Sequence, residues 1–138
     1  MNILIVDDEI AQLQTLRRGL KRRGYGVLEA LSVDEALAVI ARQGDAIDCV
    51  LSDYHMPGKN GAHFFRALRS GSGNMPFILM TAYADSITGV SLLRKECDGY
   101  IEKPFSLEQI ITLMEETVHR KRMSVQDGLT GGSPGRNE

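Results

Sequence analysis

Four short apolar runs each end in polar residues suited to chemistry, and helical periodicities occupy the stretches between them. Ile3-Leu4-Ile5-Val6 leads into Asp7-Asp8, and Cys49-Val50-Leu51-Ser52 into Asp53. Phe77-Ile78-Leu79-Met80 leads into Thr81, and Tyr100-Ile101-Glu102 into Lys103-Pro104. Short, near-continuous apolar runs are the pattern of strands covered on both faces. After the first run, Ile10, Leu13, Leu16 and Leu20 recur at helical spacing, and Gly24 is placed to end that helix. Tyr25 to Ala30 reads as a further strand. Ser32-Val33-Asp34-Glu35 is a capping box opening a helix with Val33, Ala36, Leu37, Ile40 and Ala41 on its apolar face, closing near Gly44. Pro57, Gly58 and Gly61 make a turn into a helix carrying Phe64, Phe65 and Leu68, and the segment from Ser70 to Asn74 reads as a flexible connector. A fourth helix carries Ile87, Val90 and Leu93 and is weakened by Gly89. Ser106-Leu107-Glu108-Gln109 caps a last helix with Leu107, Ile110, Ile111, Met114 and Val118.

This alternation predicts an α/β fold of (βα)5 type: a doubly wound, five-stranded parallel sheet with helices on both faces. The flavodoxin-like strand order 2-1-3-4-5 puts the topological switch point between strands one and three, where Asp7, Asp8 and Asp53 end their strands. Residues 1–120 form the expected domain. Residues 121–138 are rich in Gly with few sizeable apolar side chains, which predicts a disordered polar tail.

Composition narrows the function classes. A chain of 138 residues, 43% hydrophobic and 25% charged, suits one globular domain. No apolar run approaches membrane-spanning length, and the N-terminus enters a strand-like run with no secretory pattern, so no membrane association and a cytoplasmic location are expected. Cys49 and Cys97 form no metal or disulfide framework and read as small buried hydrophobes. A net charge of −2 gives no reason to expect nucleic-acid binding by this domain. The basic group Arg17, Arg18, Lys21, Arg22 and Arg23 suits the C-terminal end of a helix dipole and reads as a solvated face.

Three carboxylates converging at one switch point repel one another, so either they bind protons or a cation neutralises them. An all-oxygen, partly hydrated carboxylate site suits Mg²⁺, which also accepts a phosphate oxygen. A carboxylate can then act as nucleophile and form an acyl phosphate. Such a transfer needs mainly positioning and charge stabilisation, for which Lys103 offers a cation and Thr81 a hydroxyl.

Asp7-Asp8, Asp53 with Met56-Pro57 and Gly61, Thr81-Ala82, and Lys103-Pro104-Phe105 together resemble the receiver domain of two-component response regulators, over residues 2 to about 119. The resemblance implies that Asp53 accepts a phosphoryl group from a sensor histidine kinase or phosphotransfer protein. It implies Mg²⁺ held by Asp8, Asp53 and the backbone carbonyl of His55, with Asp7 acting through water. Thr81 and the Ala82 backbone N–H would meet the phosphoryl group, and Lys103 would pair with it across a cis Lys103-Pro104 bond. Tyr100 aligns with the aromatic residue that turns inward as the threonine moves, so the responding face would be helix four, strand five and helix five. That face would bind an output partner or a second copy. His55 and Tyr83 depart from the commoner pattern and flank the site, where they would modulate dephosphorylation.

Two other classes fit less well. A flavin carrier on the same sheet order needs a phosphate-binding loop after strand one, where Asp7-Asp8-Glu9 would repel a flavin phosphate. A metal-dependent phosphatase wants an Asp-x-Asp pair on one strand end, which is absent. Asp127-Gly128-Leu129-Thr130-Gly131 faintly echoes the opening of diguanylate cyclase domains, but the residues after it depart from that pattern, and a polar tail is the better reading. With no catalytic output domain in the chain, a signalling switch rather than an enzyme is expected.

Overall fold

The computed structural model describes residues 1–71, 74–82 and 93–132, with side chains described as far as residue 124. Five strands, β1 (Asn2–Val6), β2 (Gly26–Ala30), β3 (Cys49–Asp53), β4 (Phe77–Ala82) and β5 (Gly99–Lys103), form one parallel sheet in the order β2-β1-β3-β4-β5. Helices α1 (Ile10–Arg22), α2 (Val33–Gln43) and α3 (Gly61–Gly71) connect the first four, and a C-terminal helix (Leu107–Gly132) follows β5. Residues 93–96 form a helical turn leading into β5. The predicted fourth helix otherwise lies outside the described residues, as does Tyr83.

Alternate strand residues feed two cores. Leu4, Val6, Val50, Phe77 and Leu79 face α2 and α3, together with Ala36, Ile40, Phe64 and Leu68. Ile3, Ile5, Cys49, Leu51, Ile78 and Met80 face the other side, with Leu13, Leu20, Ile110, Met114 and Val118. Every residue of β3 is buried, which explains its unbroken apolar run.

Local signals in the sequence set most element ends. Gly24 takes φ +92° just past α1, a left-handed conformation that favours glycine. Ser32 Oγ accepts from Glu35 N at 3.1 Å at the start of α2. At the C-terminal helix, Gln109 N donates to Ser106 Oγ at 3.1 Å while Ser106 N donates to Gln109 Oε1 at 2.8 Å, a complete reciprocal capping box.

Two expectations differ from the structure. Helix α3 continues through Ser70 to Gly71, where a connector was expected; the Ser70 hydroxyl donates back to the Arg66 carbonyl at 3.1 Å and the helix absorbs it. The C-terminal helix runs to Gly132, so the segment from Lys121 is helical over most of the length for which composition predicts disorder. Its start is tied to the fold by Lys121–Asp98 and Arg122–Asp48 ion pairs of 2.7 and 3.1 Å, and no glycine or proline interrupts it before Gly128.

Candidate functional site

The C-terminal ends of β1, β3, β4 and β5 lie side by side, and each delivers a polar group. Asp7 directly follows β1 and is 3% exposed; Asp53 closes β3 at 6%; Thr81 in β4 is fully buried. Asp8 is half-buried beside them. Carboxylate oxygens of Asp7, Asp8 and Asp53 all lie within 4.8 Å of one another. The strand order brings this about, because β3 pairs with β1 on one side and β4 on the other.

Lys103, the last residue of β5, reaches back over β4 to the carboxylates. Its ammonium lies 2.9 Å from Asp53 Oδ1 and 3.8 Å from Asp7 Oδ2. It also donates to Gln12 Oε1 at 2.8 Å. The Lys103-Pro104 peptide bond is cis. Asp7 is held by the Glu9 backbone N–H, which donates to its Oδ1 at 2.9 Å.

Two carboxyls carry raised pKa values. Burial pushes Asp53 up to about 6, against the hydrogen bond and charge of Lys103, which pull it down; Asp7 and Asp8 add repulsion. Asp7 is also raised, again chiefly by burial, with the Glu9 N–H and Lys103 opposing. The site thus carries more negative charge than one lysine offsets. A hard divalent cation fits this donor set: its oxygens are close, anionic and partly open to water.

The backbone around Asp53 is closely packed. Tyr54 N donates to the Met80 carbonyl at 2.9 Å and Gly61 N to the Tyr54 carbonyl at 2.8 Å, closing the loop after β3 onto the start of α3. A Cβ at Gly61 would meet the Asp53 carbonyl at 3.0 Å and Tyr54 Cα at 3.1 Å, so glycine lets α3 begin this close to the end of β3. His55 is exposed, its ring edge-on to that of Tyr54 at 5.1 Å. Ala82, exposed, ends β4 beside Lys103 in the register.

Thr81 and Tyr100 are in direct contact: the two hydroxyl oxygens are 3.0 Å apart. The Arg94 guanidinium stacks over the Tyr100 ring at 4.2 Å. The structure therefore brings together Asp7, Asp8, Asp53 and Lys103, and links Thr81 to Tyr100. Sequence reasoning missed Gln12 and Arg94. Gln12 had a usable signal, a polar side chain in the first turn of the helix leaving the acidic edge; Arg94 had none.

Comparison with known proteins agrees with this geometry. Residues 3–115 match the family model described as the response regulator receiver domain. The response regulator MprA of Mycobacterium avium is 36% identical over 122 residues, covering 88% of this chain and 53% of that protein. The sensor kinase CckA of Brucella abortus is 35% identical over 119 residues, 86% of this chain but 13% of the kinase. A response regulator receiver domain from Clostridium thermocellum superposes with a TM-score of 0.81 at 26% identity, covering 88% of this chain and 97% of that one. The chain spans about half the length of the curated regulator and a small part of the kinase. The chain belongs to the response regulator receiver domain family, whose function is to accept a phosphoryl group in two-component signalling.

Proposed function

We propose that Asp53 is the phosphoacceptor, supplied by a histidine kinase or phosphotransfer protein in the cytoplasm and able to react slowly with small acyl phosphates. One observation carries the assignment: of the cluster's carboxylates, Asp53 is the one at hydrogen-bond distance from the Lys103 ammonium, 2.9 Å against 3.8 Å for Asp7. A carboxylate oxygen of Asp53 attacks phosphorus, the donor's P–N bond breaks, and its imidazole leaves with the electron pair, giving an aspartyl phosphate. Lys103 pairs with the incoming oxygens, and the Thr81 hydroxyl and Ala82 N–H donate to them. Asp8, Asp53 and the His55 carbonyl would hold Mg²⁺, with Asp7 acting through water. When bound, the ion would screen the repulsion between these carboxylates and the phosphoryl group. His55, two residues after Asp53, and Tyr83, two residues after Thr81, take the sequence positions that modulate hydrolysis in the family, and they slow it, since neither is the amide or acid that would position water. The face built from the segment before β5, β5 itself and the C-terminal helix then signals to an output partner or a second copy.

The test is labelling with acetyl phosphate and with a phosphorylated histidine kinase, with and without EDTA. Mg²⁺-dependent label in the wild type, lost in Asp53→Asn, is the expected result. Label of undiminished rate on Asp53→Asn would place the acceptor elsewhere.

A further inference from the structure

Besides the carboxylates of Asp53 and Asp7, the Lys103 ammonium has a neutral partner, the side-chain amide of Gln12 in α1. Gln12 Oε1 lies 2.8 Å from Lys103 Nζ, closer than Asp53 Oδ1 at 2.9 Å and far closer than Asp7 Oδ2 at 3.8 Å. An ammonium can only donate, so the amide must present its oxygen, which fixes the orientation of the Gln12 side chain. The contact joins residues 91 positions apart in sequence and lies on the wall of a pocket of about 430 Å³ whose lining includes Gln12, Leu16, Lys103 and Phe105.

We propose that Gln12 is a positioning residue for phosphoryl transfer, holding the Lys103 ammonium at the mouth of the pocket. The inference rests on the assignment of Asp53 as acceptor and goes one residue further. When Asp53 is phosphorylated, Lys103 loses a full carboxylate charge as partner and must turn to the phosphoryl oxygens. The nearest remaining anion to it is Asp7, and an untethered lysine would collapse onto that carboxylate. A tether to a neutral oxygen holds the ammonium without competing strongly against a dianionic phosphoryl group, because charge-assisted bonds to an anion are the stronger ones. A carboxylate at position 12 would compete; an apolar side chain would release the lysine. Glutamine does neither.

The experiment compares wild type with Gln12→Met, a substitution of similar length and helix propensity on an exposed helix face. Labelling by acetyl phosphate is followed across a Mg²⁺ titration, and the Lys103 ammonium is observed directly by ¹⁵N–¹H spectroscopy of the lysine side chains. The expected result is a maximal labelling rate lowered about three- to tenfold, the net scale of one exposed hydrogen bond. Half-saturation by Mg²⁺ should be unchanged, and the Lys103 ammonium signal should shift or broaden. An unchanged rate overturns the inference. So does a lowered rate with the ammonium signal unmoved, or a lowered rate explained by weaker Mg²⁺ binding, since Gln12 would then act through something other than Lys103. A wild-type protein that takes no label at all removes the assignment of Asp53 beneath it, an outcome distinct from labelling that Gln12→Met leaves intact.

Discussion

Asp53 is ionisable in a place that resists ionisation. Its carboxyl is pushed up to about 6 from 3.8 by burial, even with Lys103 beside it. A carboxyl whose folded pKa exceeds its unfolded value binds its proton more tightly when folded. Its contribution to stability is therefore complete below about pH 4 and is lost as pH rises through about 6. Asp7, raised in the same direction, adds to the trend. At pH 8 without metal, the folded protein carries this penalty in full, and a neutral isostere at position 53 removes part of it. Asp53→Asn should then melt several degrees above wild type at pH 8 in EDTA, with the gap closing toward pH 4.5. Mg²⁺ should raise the wild-type melting temperature at pH 8 by binding only the folded state, and raise the Asn variant less. Thermal melts at the two pH values, with and without the ion, check both statements; an Asn variant less stable at pH 8 would mean that the Lys103 pairing outweighs burial.

Among the elements, the N-terminal edge of the sheet is as organised as the reactive one. Asp98, between the helical turn and β5, accepts from Arg69 at 2.6 Å, from Lys121 at 2.7 Å and from the Phe77 backbone N–H at 2.8 Å. One side chain thus ties α3, β4 and the C-terminal helix together. Its carboxylate is 15% exposed, so removing it leaves two cations and a backbone donor poorly served. Asp98→Ala should cost about 2–3 kcal/mol in urea unfolding while leaving acetyl phosphate labelling near the wild-type rate. A loss of labelling in a variant that remains folded would show that the two edges are coupled. None of this was legible in the sequence, because its partners lie 21 to 29 residues away. What was legible was local or periodic. The boxes at Ser32 and Ser106 announced two helix starts, and unbroken apolar runs announced a parallel sheet with two covered faces. Inferred strand order put the acidic pair, Asp53, Thr81 and Lys103 at one edge of the sheet, at the ends of four of its five strands. The length of the C-terminal helix could not, since Gly-rich composition said nothing of the Asp48 and Asp98 tethers that anchor its extension.

At the scale of the whole molecule, the question is how an event at Asp53 reaches a distant surface. The unphosphorylated state already contains a wire of contacts: Thr81 to Tyr100 through their hydroxyls, and Tyr100 to Arg94 through the ring face. On the proposed assignment, phosphoryl oxygens, which only accept, would draw the single Thr81 hydrogen toward them. Tyr100 would then either become the donor to Thr81 or leave it, with Arg94 following the ring. Phosphorylation can shift this equilibrium only by contacting Thr81 better in one arrangement than in the other. At the opposite edge, Asp98 ties the C-terminal helix to the sheet through Lys121. Beryllofluoride with Mg²⁺, a mimic of the aspartyl phosphate, should therefore perturb amide signals from Thr81 to about Leu113 and leave Lys121 to Gly132 nearly unchanged. Tyr100→Phe should bind the mimic with an affinity within about fivefold of wild type, the scale of one lost hydrogen bond, while reducing the shifts around Arg94. If shifts stay confined to the acidic pocket, with Tyr100 and Arg94 silent, the Thr81–Tyr100 contact is packing and carries no signal. If the helix beyond Lys121 responds as strongly as β5, the Asp98 clamp is not rigid, and the C-terminal helix itself becomes the moving part.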